Sequence, residues 1–323
     1  MLDSYGRTID YVRVSVTDRC DLRCFYCMPE NGVEQISHDE ILRYEEIVRI
    51  VRLLSQVGIK KVRLTGGEPL VRRGLASLVR DIKNIDGIER VLLTTNGMLL
   101  KENLPALVNA GLDGVNISID ALSEETFEKI TRRSGVDKVL DSVDAALSYP
   151  ALKVKINCVP TELNRNEIIP LTGHFLKDER LSLRFIEMMP IGLGRECSGI
   201  PEAELVQMLQ SEFGELKRLP DEAGGGPSRY YKLASLSGRV GFISAVSHAF
   251  CSDCDRIRLT ANGFLKTCLQ YDCGTQLRPL LELSDTELLE LIRQTIMDKP
   301  ERHCFSSGEN SGLDQHIMSQ IGG

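Results

Sequence analysis

The chain holds 323 residues, 42% apolar and 26% charged, with 39 Lys plus Arg against 46 Asp plus Glu, for a net charge of −7. It is longer than the roughly 150 residues of an average domain, yet offers no ~18-residue apolar run for a membrane helix. The acidic balance and 5% aromatic content exclude a nucleic-acid coat and a broad base-stacking surface. The opening MLDSYGRTIDY lacks the apolar stretch of a secretory leader, so a cytoplasmic location is expected.

In chain order, strand-like runs rich in β-branched residues occur at Tyr11–Val16, Lys61–Leu64, Val91–Thr95, Gly114–Ile119, Lys153–Val159 and Leu183–Met188. Between them, Tyr44–Val57, Leu75–Ile85, Leu104–Ala110, Glu124–Thr131, Val139–Ser148 and Glu167–Lys177 carry apolar residues at helical spacing. Ser123 reads as an N-cap, and Gly58 and Gly111 stand where helix-ending glycines belong. Six alternations of this kind predict an α/β fold, a partial (β/α)6 TIM-like barrel, with an open doubly wound sheet as the alternative. Near Pro190 the pattern changes. Gly192–Gly199 is glycine-rich, and Ala223–Pro227 reads as a mobile loop. Arg229–Ala234, Arg239–Ile243, Arg256–Thr260 and Phe264–Cys268 read as short antiparallel strands, with a tight turn at Ala261–Gly263 and a helix over Thr286–Met297. The expected division is a barrel core over 1–190 and a smaller mixed α+β extension over 191–323 that closes the barrel.

Ten cysteines in a reducing compartment point to metal rather than disulfides. Cys20, Cys24 and Cys27 form C-x3-C-x2-C directly after the first strand. Structural zinc wants four ligands, and no further Cys or His follows until His38. Three thiolates suit a centre with one open position. Tyr26 precedes the third cysteine, and Gly66-Gly67-Glu68-Pro69 follows the second strand. Together these features resemble the signature of the radical S-adenosylmethionine superfamily. The resemblance implies a [4Fe–4S] cluster whose open iron binds the amino and carboxylate groups of S-adenosylmethionine. One electron then breaks the sulfonium–carbon bond and releases a 5′-deoxyadenosyl radical. The glycines of the turn would let backbone approach the methionine end closely.

The second trio, Cys251, Cys254 and Cys268, is spaced C-x2-C-x13-C. His248 precedes it and Cys273 follows, so spacing leaves a closed zinc site and an open iron cluster both available. Cys158, Cys197 and Cys304 are isolated and read as inert thiols.

Core strands also carry cations at interior positions: Arg13, Arg63, Lys155 and Arg184, with Arg256 and Arg258 two apart on one strand face. Unpartnered buried charge costs several kcal/mol each, and Asp120 and Glu187 are too few to neutralise the set. A polyanion such as a nucleoside triphosphate is the favoured counterpart. Lys60, Lys61, Arg72, Arg73, Arg132 and Arg133 read as solvated edge charges. No P-loop pattern occurs.

Within the superfamily the chain resembles the GTP 3′,8-cyclase (MoaA) family of molybdenum-cofactor biosynthesis over nearly its whole length. The resemblance rests on Arg13-Val-Ser-Val-Thr-Asp, Arg63-Leu-Thr-Gly-Gly-Glu-Pro, Thr94-Thr95-Asn96-Gly97, Asn116-Ile-Ser118-Ile-Asp120, Lys155-Ile-Asn157, Phe185-Ile-Glu-Met-Met189-Pro, the second trio with Arg256-Ile-Arg258, and the terminal Gly322-Gly323. It implies two [4Fe–4S] clusters, the second one contacting the guanine of GTP. Tyr26, Gly67, Ser118 and Met189 would hold S-adenosylmethionine. Arg13, Arg63, Thr94, Lys155, Arg256, Ile257 and Arg258 would hold GTP, with Arg184 nearby. Arg13, Lys155, Arg256 and Arg258 would act directly at the reacting substrate. The implied reaction abstracts the ribose 3′ hydrogen, joins C3′ to guanine C8, and reduces the product to a cyclised dihydro-GTP. A MoaC-type cyclic pyranopterin monophosphate synthase would consume it, the enzyme would be a homodimer, and the electron donor stays unnamed. Cys273 departs from the family pattern and is expected not to bind the second cluster. The tail would reach into the catalytic chamber by resemblance, whereas sequence physics alone predicts disorder. A radical enzyme acting on a peptide, and a zinc-stapled binding module, are the alternatives.

Overall fold

Alternation of apolar and polar residues along each strand decides which side of the sheet faces the helices. The computed structural model describes residues 1–34, 36–37, 39–220, 226–305 and 313–322. Its first strands are β1 (Tyr11–Ser15), β2 (Lys61–Thr65), β3 (Arg90–Thr95), β4 (Gly114–Ser118), β5 (Lys153–Cys158) and β6 (Ser182–Ile186). Helices α1 (Tyr44–Gln56), α2 (Leu75–Lys83), α3 (Leu100–Asn109), α4 (Glu124–Thr131), α5 (Val136–Leu147) and α6 (Ile168–Phe175) lie in the connections. Each strand from β1 to β6 pairs in parallel with the next, as successive βα units require. The Ser123 hydroxyl caps α4 by accepting from the Thr126 amide. Gly58 and Gly111 end α1 and α3 with φ of +97° and +93°.

One face of this sheet is apolar throughout. Val12, Val14, Val62, Leu64, Ile156 and Phe185 are buried in one core with Ile47, Ile50 and Leu54 of α1 and Leu78 and Ile82 of α2. The opposite face carries Tyr11, Arg13, Arg63, Thr94, Asn116, Lys155 and Arg184 at the alternate positions of the same strands. A parallel sheet with one polar face needs something other than helices against that face.

The remaining elements are α7 (Glu202–Phe213), β7 (Leu216–Arg218), β8 (Arg229–Leu233), β9 (Arg239–Ile243), β10 (Arg256–Leu259), β11 (Phe264–Lys266), β12 (Gly274–Gln276), α8 (Asp285–Met297) and α9 (Met318–Ile321). Sequence reading missed α7, β7, β12 and α9. It also called β9 and β10 antiparallel members of a separate group, and the structure corrects this. β10 joins β1 in parallel and β9 joins β6 in parallel, while β11 and β8 pair antiparallel on their outer sides. The twelve-stranded order is β12-β11-β10-β1-β2-β3-β4-β5-β6-β9-β8-β7. The extension thus covers both edges that a six-stranded sheet would leave exposed. Hydrogen bonding leaves the sheet open, because β9 and β10 each carry an antiparallel neighbour beyond them. The turn at Ala261–Gly263 forms as expected, with Gly263 at φ +88° and the Thr260 amide donating to the Phe264 carbonyl at 3.0 Å. The loop expected at 223–227 falls largely outside the described residues, as do His38 and Gly323.

Candidate active site

Register turns the interior cations into a row. Arg258 of β10 stands beside Arg13 of β1, and Arg13 beside Arg63 of β2. Neighbouring strands lie about 4.8 Å apart, so three guanidinium stems project side by side into the lumen. Burial, reinforced by Arg258 and Arg63, holds the Arg13 guanidinium well below its ordinary pKa. Burial and Arg256 bring Arg258 down to about 10. Burial would raise the Tyr11 phenol, but Arg63 and Arg13 outweigh it and leave it below its ordinary value.

The carboxylates named from the sequence do not neutralise this row. Asp120 accepts from the Tyr26 hydroxyl at 2.6 Å and the Val159 amide at 2.8 Å. Glu187 accepts from the Val246 and Ser247 amides at 2.7 and 3.0 Å. Only Arg256 has a carboxylate, Asp255 at 3.1 Å, among Arg13, Arg63, Arg184, Arg256 and Arg258 within the described residues. The Arg13 and Arg184 Nε atoms are buried without a hydrogen-bond partner among the described residues.

Both cysteine trios line one cavity of about 350 Å³, together with Arg13, Tyr26, Gly67, Thr94, Ser118, Met189, Arg256 and Arg258. The first trio follows the C-terminal end of β1. Cys251 and Cys254 precede the N-terminal end of β10, and Cys268 returns to that level because Lys266 of β11 pairs with Arg258. Since β1 and β10 run in parallel, the trios stand at opposite ends of the lumen with the arginine row between them. The five-residue β1 that lies between their levels is itself roughly 13 Å long.

Several predicted residues do not line the cavity. Arg63 bonds the Tyr11 hydroxyl, the Leu93 carbonyl at 2.9 Å and Thr94 Oγ1 at 3.3 Å. Lys155 donates to the Tyr230 hydroxyl at 2.9 Å, and Arg184 to Asn157 Oδ1 at 2.5 Å. These heads lie against the lumen wall rather than in open space. Ile257 is a correction: it alternates with Arg256 and Arg258, so its side chain is buried in the helix-facing core at 1% exposure. Only its backbone could meet a ligand.

The local structure explains the first trio. The Cys27 and Met28 amides both donate to the Cys24 carbonyl at 2.9 Å, curling the loop so that the thiols share one side. Gly66 and Gly67 are needed for a contact not foreseen from the sequence. A Cβ on either would overlap the backbone carbonyls of Thr17 or Arg19 in the cysteine loop. The Gly67 and Glu68 amides donate to those same carbonyls at 2.8 and 2.7 Å. Glu68 is buried and accepts from the Leu70 and Asn96 amides and Thr95 Oγ1 at 3.0, 2.7 and 2.8 Å; burial brings it up to about 7. Arg72 and Arg132 are not the solvated charges expected. Arg72 donates to the Val16 and Leu42 carbonyls at 2.7 and 2.8 Å, and Arg132 to the Arg23 and Met28 carbonyls at 3.0 and 3.2 Å. Each staples one flank of the cysteine loop.

Burial pushes the Cys20 and Cys24 thiols well above their ordinary value and Cys27 up to about 11. Such thiols become thiolates only beside strong positive charge, which iron supplies. In the second trio burial raises Cys251, whereas Lys299 and Arg256 outweigh burial at Cys254 and lower it. Neither candidate fourth ligand is among the residues lining the cavity at the second trio. Cys273 Sγ lies on Thr267 Oγ1 at 3.2 Å, and exposed His248 lies near Glu202 at 3.6 Å. Among the described residues no three His, Cys, Asp or Glu side chains converge on one metal ion. Zinc demands such convergence, whereas a cubane takes its thiolates on separate irons. The donor sets fit clusters.

The described part of the tail, 313–322, is tied to the body of the fold. Lys266 and Asp314 form a buried ion pair at 2.5 Å, the Asp314 amide donates to the Gln270 carbonyl at 2.8 Å, and Arg258 donates to the Gly322 carbonyl at 2.8 Å. Met318 lines the cavity. Sequence reading also missed Arg7, Asn96, Lys299 and His303 as lining residues. The run Lys299-Pro300-Glu301-Arg302-His303 was the available signal for two of them.

A family model described as "Radical SAM superfamily" matches residues 14–168, and one described as "Molybdenum Cofactor Synthesis C" matches residues 181–305. The chain is 44% identical to the GTP 3',8-cyclase of Clostridium perfringens strain 13 and 43% identical to that of Pelotomaculum thermopropionicum, each over 100% of both chains. Streptococcus suis SuiB bound to the precursor peptide SuiA shares the fold, with a TM-score of 0.61 at 14% identity over 98% of this chain and 71% of SuiB. On the strength of the full-length relatives, the chain belongs to the GTP 3′,8-cyclase family of radical S-adenosylmethionine proteins.

Proposed function

We infer that this protein cyclises GTP to (8S)-3′,8-cyclo-7,8-dihydroguanosine 5′-triphosphate, the first step of molybdenum-cofactor biosynthesis. One observation carries the reading: two three-cysteine sites at opposite ends of one lumen, separated by a row of arginines. We propose that Cys20, Cys24 and Cys27 hold a [4Fe–4S] cluster for S-adenosylmethionine and that Cys251, Cys254 and Cys268 hold a second. When bound, the first centre supplies the electron that cleaves S-adenosylmethionine to its 5′-deoxyadenosyl radical.

The chain's own residues do the rest. Gly67, Ser118, Tyr26 and Met189 border the first trio's end and would position the methionine and adenosine. Asp120 holds the Tyr26 hydroxyl in place. Arg13 and Arg258, with Arg256 and the wall-held Arg63, Lys155 and Arg184, offer the triphosphate bidentate and single-point contacts. Phosphate binding relieves their mutual repulsion, so part of the binding energy comes from strain already present in the empty row. Thr94 Oγ1 accepts from the Arg63 guanidinium at 3.3 Å. The tail, bonded to Arg258, keeps water from the reacting carbon.

The peptide alternative is disfavoured by the concentration of unneutralised arginine, and the zinc-module alternative by the absence of a converging donor set among the described residues. We further propose a barrel unit over 1–190 and an extension over 191–323, a homodimer, a cytoplasmic location, and a MoaC-type synthase as consumer of the product. No helix among the described residues is long and apolar enough to cross a membrane. The test is anaerobic incubation of cluster-loaded protein with GTP, S-adenosylmethionine and a reductant, followed by mass analysis. Formation of 5′-deoxyadenosine together with a GTP isomer of unchanged mass is expected. Deoxyadenosine without any such isomer refutes the assignment of substrate.

A further inference from the structure

Asn96 stands one residue past the C-terminal end of β3 and lines the lumen at the first trio. Three bonds fix it. Its backbone amide donates to Glu68 Oε2 at 2.7 Å, its Oδ1 accepts from the Met98 amide at 3.0 Å, and its Nδ2 donates to Asp21 Oδ1 at 2.6 Å. Gly97 follows at φ +84°, where a Cβ would meet the Val139 and Ile117 side chains at 2.9 and 3.1 Å, so the turn that presents Asn96 has little freedom. A backbone amide can only donate, so the side-chain oxygen faces Met98 and the side-chain nitrogen faces the cysteine loop.

A primary amide carries two N–H groups, and Asp21 takes one of them. The other has Cys20 Sγ within reach, 3.9 Å from Nδ2, and that sulfur lies 3.8 Å from Asp21 Oδ1. Asn96 thus addresses a carboxylate and a cluster cysteine that stand side by side. The two have opposite effects on an incoming electron. One-electron reduction of a four-iron cluster adds a negative charge that its thiolate sulfurs share. A carboxylate beside such a sulfur opposes the added charge, whereas an N–H aimed at it favours the charge. Hydrogen bonds to the sulfurs are among the levers that set a cluster's potential.

We propose that Asn96 is a redox-positioning residue: its second N–H donates to the Cys20 sulfur, offsets the Asp21 carboxylate, and raises the potential at which the first cluster accepts its electron. The proposal rests on the first trio holding a four-iron cluster, and the test separates the two claims. Cluster-loaded wild-type, Asn96→Leu, Asn96→Asp and Asp21→Asn proteins are titrated anaerobically with photoreduced deazaflavin and followed by electron paramagnetic resonance, with iron counted per chain. The first cluster's signal is the one that changes shape when S-adenosylmethionine is added to a parallel sample. Asn96→Leu makes reduction about tenfold less favourable, a midpoint about 59 mV lower for one electron. Asn96→Asp keeps an oxygen for the Met98 amide but turns an oxygen toward the sulfur, and lowers the midpoint at least as far. Asp21→Asn keeps an acceptor for Asn96, removes the charge, and raises the midpoint. Iron content and the response to S-adenosylmethionine stay at wild-type values in all three. An unchanged midpoint in both Asn96 variants overturns the tuning role alone. So does a shift of the Asn96 and Asp21 variants in the same direction, or loss of iron in the Asn96 variants, since either marks a residue that only holds the loop. A wild-type protein with no signal that responds to S-adenosylmethionine overturns the cluster assignment at the first trio and this role with it.

Discussion

Removing Asp314 isolates what holds the C-terminal tail in the lumen. Asp314 and Lys266 are 2% and 0% exposed at the side chain and 2.5 Å apart. Asp314→Ala leaves the Lys266 ammonium buried with the Tyr271 carbonyl as its partner. Breaking a buried pair at one end costs about 3–5 kcal/mol. A structure-wide loss of that size would lower Tm by at least ~6 °C, at ~2–4 °C per kcal/mol for a chain of this order. The tail offers a cheaper outcome, because releasing 313–322 lets water reach the ammonium while the sheet stays intact. The expected result is a small Tm change together with a hundredfold or greater loss of hydrogen-exchange protection at the Asp314 and Gln320 amides, whose acceptors are the Gln270 and Ile317 carbonyls. Replacing both partners, Lys266→Met with Asp314→Leu, restores protection, since an apolar pair of similar volume is about neutral against a buried ion pair. The pH dependence has a definite sign. Burial acts to raise the Asp314 carboxyl, and its bonds to Lys266 and the His316 amide outweigh that and hold it below the ordinary aspartate value. A depressed acid stabilises above its unfolded pKa and loses that contribution as pH falls through its folded one. Docking is therefore level from about pH 8 to about pH 5 and weakens only below about pH 4. Unchanged tail exchange in Asp314→Ala, with the whole loss appearing in Tm, refutes the local-release reasoning.

Two further predictions follow from register and from the thiol geometry. Ile257→Ala opens a hole in the helix-facing core, so chemical denaturation should register a loss of about 2–5 kcal/mol while GTP affinity stays within about twofold. Arg258→Ala should do the reverse, and equal effects of the two on GTP binding would contradict the alternation of β10. Cys273→Ser should leave the iron content of anaerobically purified protein unchanged, because its thiol faces Thr267. Cys268→Ser should remove about four irons per chain, one cubane's worth; a loss caused by Cys273→Ser instead would make the second site a closed four-ligand centre.

What was legible in the sequence was whatever a single element carries by itself. The βα alternation, the capping of α4 by Ser123 and the turn at Gly263 each depend on a few neighbouring residues, and each formed where read. The cations were legible for the same reason, since Arg13 between Val12 and Val14 puts a charge on one face of an otherwise apolar strand, visible without any partner. Partners were not legible. Nothing in Arg239–Ile243 or Arg256–Leu259 says that these strands run parallel to β6 and β1, because a strand's sequence records its two faces and not its neighbour. Arg72 and Arg132 misled for a related reason: an arginine at an element edge looks solvated until a distant carbonyl comes within its reach.

The two edge strands give that distinction its functional weight. β10 brings Arg256 and Arg258 alongside Tyr11 and Arg13, and carries the second trio just ahead of it. Without that parallel pairing the six-unit barrel would hold only the first trio, Arg13, Arg63 and the wall cations, with a bare edge at β1. The extension therefore does more than cover a barrel. It completes the charge row and sets the second trio at the end of the lumen opposite the first. Any ligand spanning both trios must then pass the arginines. That requirement suits a molecule with a neutral, hydrogen-bonding head and a polyanionic body, and it fits a peptide far less well.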